Sequence, residues 1–279
     1  MIRGEQNAGA GLLRAGIVLI AASSLLFSVA CGKLAARDQL NKGVAAYRNA
    51  RYEEAIEHFK KAVSQDPSLV NAKLYLATAY AGQYIPQVDT PENLRNAQEA
   101  INTYQQVIDS NPPRDSKVLA LKGIASIYYN MKKLDESKQY DQKVLEIDPN
   151  DPETYYSIGV IDWAQSYANT MKERAAVGAK ATDMLKDKKA CAKLKQQNGA
   201  AIQEGMDMLN KALQLRPEYD DAMAYLNLLY RQKADTECEN PEQQQADLKT
   251  ADDWQDKTLK TRQKREQKQA NQTGGISPT

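Results

Sequence analysis

A pattern of small, aromatic and proline residues recurs along this chain with an underlying period of 34 residues, and its clearest copy runs from Ala36 to Leu69. The pattern positions in this copy are Gly43, Tyr47, Tyr52, Ala55, Phe59, Ala62 and Pro67. Small residues let two helices approach closely, and proline cannot continue a helix, so each copy predicts two helices joined by a turn. Units of this length bury their apolar faces only by stacking on neighbours. The period therefore constrains the whole fold.

The same register returns further along the chain. The small residue of the second helix recurs at Ala100, Ser137 and Gly205, and the closing prolines recur at Pro112, Pro149 and Pro217. A fifth copy opens at Asp220, with Leu226, Asn227 and Tyr230 in its first helix. The copies predict an all-α chain of about five helix–turn–helix repeats.

The pattern resembles the tetratricopeptide repeat, and the resemblance covers roughly residues 36–259. It implies a tetratricopeptide-repeat solenoid. The predicted segments are an export signal or membrane anchor (1–30), repeat 1 (36–69), repeat 2 with a loop insertion (70–114), repeat 3 (118–151), repeat 4 with a helical insertion (152–219), a degenerate repeat 5 with a C-terminal helix (220–267) and a disordered tail (268–279).

Departures from the period place extra residues between the two helices of a repeat. The second repeat carries 11 extra residues, and the two prolines within 84–91 predict a loop. The fourth carries 34, and residues 165–198 are rich in strong helix formers, which predicts a longer first helix or an extra helical arm. A hidden repeat is the alternative, although a register begun at Lys186 would put Lys189 and Lys193 at apolar or small positions.

The N-terminus is a separate element. Two arginines, Arg3 and Arg14, precede an apolar run that ends at Cys31, an arrangement that resembles a bacterial export signal. The small residues just before Cys31 resemble a lipoprotein processing site, which implies a lipid on the Cys31 thiol. An uncleaved membrane span is one alternative, because 17 residues are at the lower limit for a bilayer core of about 30 Å. Conventional cleavage is the other. The expected location is the bacterial cell envelope, membrane-anchored and facing the periplasm or the exterior.

The chain has 3 cysteines, and assigning Cys31 to lipidation leaves Cys191 and Cys238. The register puts these two in the connections between the helices of the fourth and fifth repeats. Such connections emerge on one edge of a repeat stack, and an exported protein can form disulfides, so we predict a bond between Cys191 and Cys238. Two free thiols are the alternative. A metal site is not predicted, because two cysteines and the distant His58 do not complete a tetrahedral set.

Charge and motifs exclude several classes of function. The 37 basic and 36 acidic residues give a net charge of +1, which provides no electrostatic basis for nucleic acid as the principal partner. The sole histidine, His58, has no nucleophile at a recognisable spacing, and the sequence contains no phosphate-binding glycine loop and no metal-ligand cluster. We therefore predict no enzyme activity, no cofactor and no metal.

The family resemblance implies a binding groove lined by the first helix of each repeat, through the fifth and twelfth residues of the repeat. The candidate protein-binding residues are Tyr47, Lys122, Tyr129, Tyr156, Trp163 and Arg231. Tyrosine, tryptophan and arginine dominate interface hot spots, although Tyr129, Tyr156 and Trp163 have helix packing as an alternative role. The family's lysine and asparagine clamp for C-terminal carboxylates is absent, since Leu40 and Val44 occupy its first-repeat positions.

These features predict a membrane-anchored, non-catalytic scaffold or adaptor that binds a peptide segment of another envelope protein. The resemblance is to the tetratricopeptide lipoproteins of the bacterial envelope. The alternative function is an accessory subunit of a cell-wall or polysaccharide enzyme, or an enzyme of an unrecognised kind.

Overall fold

The computed structural model describes residues 32–181 and 183–272, and these residues form ten α-helices. The helices are α1 (32–48), α2 (Tyr52–Gln65), α3 (Val70–Gln83), α4 (Pro91–Asp109), α5 (Arg114–Asn130), α6 (Leu134–Ile147), α7 (Pro152–Ala176), α8 (Lys188–Leu215), α9 (Asp220–Ala234) and α10 (Pro241–Gln272). Consecutive helices form five helix–turn–helix repeats, which confirms the predicted all-α class. Cys31 and the whole N-terminal apolar segment lie outside the described residues.

The ends of the helices follow from local sequence. The second helix of each of the first four repeats ends two or three residues before its closing proline. At the N-termini of three longer helices a side chain caps a free backbone amide: Thr90 accepts from the amide of Asn93, Asp151 from that of Glu153 and Asp187 from that of Ala190. Proline also begins α4 and α7, where a missing amide hydrogen costs nothing.

The chain divides into two compact units, and the first extends to Gly123. Its core consists mainly of buried alanines, with fewer large apolar side chains such as Phe59. The fully buried ring of Phe59 packs where Gly43 has no side chain, so α1 and α2 approach closely. The predicted loop after α3 is held by Asn93, whose side-chain amide donates to the carbonyls of Ile85 (2.7 Å) and Val88 (2.6 Å).

The second unit begins at Ile124 and contains the insertion of the fourth repeat. The inserted residues lengthen both helices of that repeat, to 25 residues in α7 and 28 in α8. Residues 177–187 connect these two helices. The first helix is longer, which is one of the two predicted alternatives, but the second helix grows as well and the two helices pack on each other.

The last helix, α10, packs along α9 and continues to Gln272, past the end predicted at Gln267. Its C-terminal half is anchored by arginines that reach the start of α9. Arg262 donates to Asp220 at 2.8 Å and Arg265 donates to the same carboxylate at 2.7 Å. Among the helices of the described residues, none combines the length and the apolar character needed to cross a bilayer.

Candidate functional site

Five aromatic side chains lie together on the first helices of three repeats in the second unit. We call this set the aromatic row: Tyr129 of α5, Tyr156, Trp163 and Tyr167 of α7, and Tyr225 of α9. The Tyr225 ring meets the rings of Tyr156 and Trp163 edge to face, with centroids 5.6 Å and 5.2 Å apart. Trp163 stacks on Tyr167 at 5.1 Å. Both geometries are favourable for aromatic pairs, so the row forms a pre-arranged surface.

The aromatic row is half-buried rather than sealed in the core. Tyr167 keeps 42% of its surface exposed, and the other four members are partly accessible. Burial, followed by the nearby Tyr225, raises the pKa of the Tyr156 phenol, and burial together with Tyr129 raises the pKa of the Tyr225 phenol. Both phenols therefore remain protonated at neutral pH. The row can offer flat apolar faces and neutral hydroxyl groups to a partner.

Tyr219 extends the row beyond the members that the repeat register indicates. Its ring lies 5.0 Å from that of Tyr156, and the Arg216 guanidinium sits 4.5 Å from its centroid. Burial raises the pKa of Tyr219 to about 12, although Arg216 acts in the opposite direction. A guanidinium over an aromatic face is an attractive pair. This end of the row thus combines aromatic surface with a guanidinium that also binds Glu153 at 3.2 Å.

A cavity of about 580 Å³ lies beside the aromatic row in the second unit. Trp163 and Arg231, two of the residues predicted to bind a partner, both line it. The other lining residues are Tyr167, Thr170, Met171, Arg174, Ala181, Asp183, Met184, Leu228, Gln232, Ala234, Asp235, Gln244, Leu248 and Asp252. Its volume falls in the range usual for ligand sites.

A buried ion pair fixes one wall of this cavity. The guanidinium of Arg174 donates to both carboxylate oxygens of Asp235, at 2.9 Å and 2.6 Å. It also donates to the backbone carbonyls of Lys180 (2.7 Å) and Asp183 (2.9 Å). Burial raises the pKa of Asp235, and Arg174 lowers it. One side chain thus ties the 177–187 connection to the end of α9.

Cys191 and Cys238 bring the start of α8 next to the connection between α9 and α10. Their sulfur atoms are within bonding distance and their Cα atoms are 5.9 Å apart, a separation typical of a disulfide. Cys191 packs with the buried residues Leu185 and Leu194. The insertion lengthens α8, so Cys191 lies in the first turn of that helix. The repeat register predicts it in the connection between the two helices.

The remaining predicted residues are distributed between the two units. Tyr129, Tyr156 and Trp163 come together in the aromatic row, and the Arg231 guanidinium donates to Asp252 at 2.7 Å beside the cavity. Tyr47 and Lys122 are half-buried in the first unit. The ring of Tyr47 meets that of Tyr52 edge to face at 5.4 Å, and burial and Tyr52 raise its pKa.

Sequence reasoning missed Tyr167, Tyr225 and Gln232. Tyr167 follows Trp163 by four residues, one helical turn, which is a signal that the sequence contains. Tyr225 is adjacent to the register position Ala224, so a shift of one residue in the fifth copy would have selected it. Gln232 carries no periodic signal, because only the packing of α9 against α7 and α10 makes it a cavity residue.

The first unit has a smaller groove of about 300 Å³. It is lined by Asn71, Leu74, Tyr75, Thr78, Tyr104 and Leu119. The hydroxyl groups of Tyr104 and Thr78 share a hydrogen bond of 2.9 Å.

His58, the sole histidine, forms a hydrogen bond with the Gln39 side chain at 2.8 Å. Within residues 32–181 and 183–272, no group of three or more metal-binding side chains could hold an ion.

Comparisons with known proteins agree with this class of helical-repeat protein. Residues 36–69 and 123–151 each match a model of the tetratricopeptide repeat. The chain therefore contains tetratricopeptide repeats at these two segments. The two matched segments correspond to the predicted first and third repeats, where the 34-residue pattern is least interrupted.

Solved structures share the fold. A crystal structure of MamA protein has a TM-score of 0.52 and 13% identity, covering 84% of this chain and 94% of that chain. MamA 41-end from Desulfovibrio magneticus RS-1 has a TM-score of 0.54 and 16% identity, covering 82% of this chain and 96% of that chain. At such identities the likeness concerns the fold alone. A comparison with curated protein sequences found no match.

Proposed function

We propose that the protein is a non-catalytic scaffold that captures a peptide segment of another protein on the aromatic row. The observation that carries this proposal is the placement of Tyr129, Tyr156, Trp163 and Tyr225 on the first helices of three successive repeats. Large planar side chains bury much area at little entropic cost, and half-buried ones are already held in position. A partner segment lying across α5, α7 and α9 would contact all of them.

Photocrosslinking in the full-length chain tests this proposal, because the crosslinking residue keeps an aromatic ring at the position it replaces. Benzoylphenylalanine in place of Tyr167, which is 42% exposed, should crosslink a partner protein in cells. The same group in place of Gln203, an exposed residue of α8, is the matched control and should not. Adding Trp163→Ala should abolish the Tyr167 crosslink while circular dichroism shows retained helix content. Equal crosslinking from both positions would refute a binding role for the aromatic row.

We further propose that the scaffold works beside a bacterial membrane, in the cell envelope. The support comes from the sequence: an apolar run preceded by arginines and ending at Cys31, directly before the start of α1. Anchoring would raise the local concentration of the aromatic row near envelope partners. Incorporation of labelled palmitate that is lost in Cys31→Ser is the expected result, and incorporation that persists in the variant would contradict it.

A further inference from the structure

The cavity beside the aromatic row has one more negative than positive group in its lining. Three carboxylate groups and two guanidinium groups line it: Asp183, Asp235 and Asp252 against Arg174 and Arg231. Arg174 binds Asp235 at 2.6 Å. Arg231 binds Asp252 at 2.7 Å. Asp183 is the carboxylate left over.

Asp183 is exposed to solvent and held in position by backbone contacts. Its carboxylate accepts from the backbone amide of Lys180 at 3.2 Å. Its own backbone carbonyl accepts from the Arg174 guanidinium at 2.9 Å, which ties this part of the 177–187 connection to α7. Within the part of the chain that the structure describes, no lysine, arginine or histidine forms an ion pair with Asp183. A cation can therefore pair with this carboxylate without displacing a partner.

Two aromatic rings of the cavity also have no cation over their faces. Trp163 and Tyr167 both line it and stack on each other at 5.1 Å, and Tyr167 is 42% exposed. Other rings of the second unit are covered by cations of the same chain, as where the Lys257 ammonium lies 4.1 Å from the centroid of Trp254. No such pair involves Trp163 or Tyr167 among the residues that the structure describes. An aromatic face attracts a cation, most strongly at tryptophan.

The apolar part of the lining fits the stem of a basic side chain. Four apolar side chains line the cavity, Met171, Met184, Leu228 and Leu248. Lysine and arginine lay their methylene chains along apolar surface while the charged head stays near water. Met184 is 39% exposed, so the cavity is open to solvent next to Asp183. The charged head keeps part of its hydration there, which avoids the cost of burying a bare charge.

We propose that the cavity is a recognition pocket for one lysine or arginine side chain of the partner segment, whose charged head pairs with the Asp183 carboxylate and lies against the Trp163–Tyr167 stack. The inference rests on the proposed scaffold function, because the peptide on the aromatic row supplies the side chain. Trp163 and Tyr167 belong to both the row and the cavity lining, so a residue of that peptide reaches the pocket directly. The volume of about 580 Å³ accommodates one long side chain with its flanking backbone.

Matched peptides test the preference for a cation. Four capped pentapeptides carry alanine throughout except at the centre, which holds lysine, norleucine, arginine or citrulline. Norleucine and citrulline approximate the length of lysine and arginine and lack their charge. Calorimetric titration against the full-length chain should show about tenfold tighter binding of a charged peptide than of its neutral match, the gain expected from one exposed ion pair and one cation–π contact. Equal affinities within both pairs of peptides would overturn the proposal.

Two variants assign the preference to this pocket. Asp183→Asn removes the charge and keeps an oxygen that accepts from the Lys180 amide, so the preference should fall to about threefold. Tyr167→Leu removes one aromatic face and should reduce the preference by a similar factor. Asp207→Asn changes an exposed carboxylate of α8 outside the cavity lining; it is the matched control and should leave the preference unchanged. A full preference in Asp183→Asn or in Tyr167→Leu would contradict the proposed contacts.

A free amine is the other source of the same chemistry, and n-butylamine is the probe for it. Weaker binding of n-butylamine than of the lysine peptide supports a side chain carried by a peptide. Equal or tighter binding would overturn the peptide as the source of the cation.

Failure of the pocket and failure of the scaffold give different results. If the Tyr167 crosslink forms but the charged and neutral peptides bind equally, the aromatic row captures a partner and the pocket proposal is wrong. If the charge preference is present and falls in Asp183→Asn but no partner crosslinks, the pocket stands and the scaffold proposal fails.

Discussion

The two units of the chain hold their repeats together by different means. In the first, close packing dominates: Phe59 fills the space beside Gly43, and Ala55 and Ala62 are fully buried between helices. Exposed ion pairs such as Lys42 with Asp38 join neighbours on one helix there. Such exposed pairs contribute little to stability.

The second unit adds buried polar contacts between distant parts of the chain. Arg174 binds Asp235, 61 residues away. Asn198 is 1% exposed and donates to the carbonyl of Ser166 at 2.9 Å across α7 and α8. The helices α7 and α8 are longer than the 34-residue pattern requires, so the pattern does not determine how their extra turns align. Directional polar pairs determine this alignment instead. The cavity lies in the same region.

The largest expected effect comes from removing Arg174. It tests whether the buried pair of Arg174 and Asp235 makes the second unit differ from the first. Arg174→Met leaves the Asp235 carboxylate buried without its cation and should lower the free energy of unfolding by about 3–5 kcal/mol. Urea unfolding followed by tryptophan fluorescence measures it, because the chain's 2 tryptophans, Trp163 and Trp254, both lie in the second unit.

Two further variants make the result specific. Lys195→Met removes an exposed pair with Glu237 and should change stability by less than about 1 kcal/mol. Adding Asp235→Leu to Arg174→Met removes the stranded charge and should recover part of the loss. If Arg174→Met costs no more than Lys195→Met, the buried pair does not distinguish the second unit.

The same contrast explains what the sequence could predict. The repeat register, read from residues such as Ala55 and Pro67, predicts the helix pairs, which the structure confirms. It also selects Tyr129, Tyr156 and Trp163, because a position in a repeat determines a face of its helix. The partner of Arg174 could not be predicted, since Asp235 is 61 residues away and only the fold brings it close. The binding role of the row stays a prediction.

The next effect depends on pH and concerns Asp162, a fully buried carboxyl of α7. Burial raises its pKa to about 6 from the usual 3.8 of an aspartate, although Lys138 of α6, 2.6 Å away, acts in the opposite direction. Glu204 of α8 binds the same lysine at 2.8 Å. Between pH 4 and pH 6 the folded state therefore holds more protons than the unfolded state. The contribution of Asp162 to stability is present below this window and is lost as the pH rises through it.

Replacing the carboxyl with a neutral amide isolates this contribution. The stability of Asp162→Asn relative to the wild type should increase by roughly 2–3 kcal/mol between pH 4 and pH 7, since one pKa unit corresponds to about 1.4 kcal/mol. Urea unfolding by tryptophan fluorescence at several pH values measures the difference. Lys138→Met removes the cation that lowers the pKa of Asp162, so the decline in stability should extend to higher pH in this variant. A difference that stays constant with pH would show that folding does not raise the pKa of Asp162.

The smallest effect belongs to the first unit and tests the close packing that dominates there. A Cβ atom at Gly43 would collide with the buried Phe59 ring, so Gly43→Ala should cost about 1–2 kcal/mol after the gain in helix propensity. Gly199→Ala in α8 is the matched control, because a Cβ atom there meets nothing within 4 Å and should stabilise the helix slightly. Hydrogen exchange by mass spectrometry should quicken in α1 and α2 for Gly43→Ala and slow in α8 for Gly199→Ala. Faster exchange throughout the second unit in Gly43→Ala would mean that packing at Gly43 also supports the polar network there.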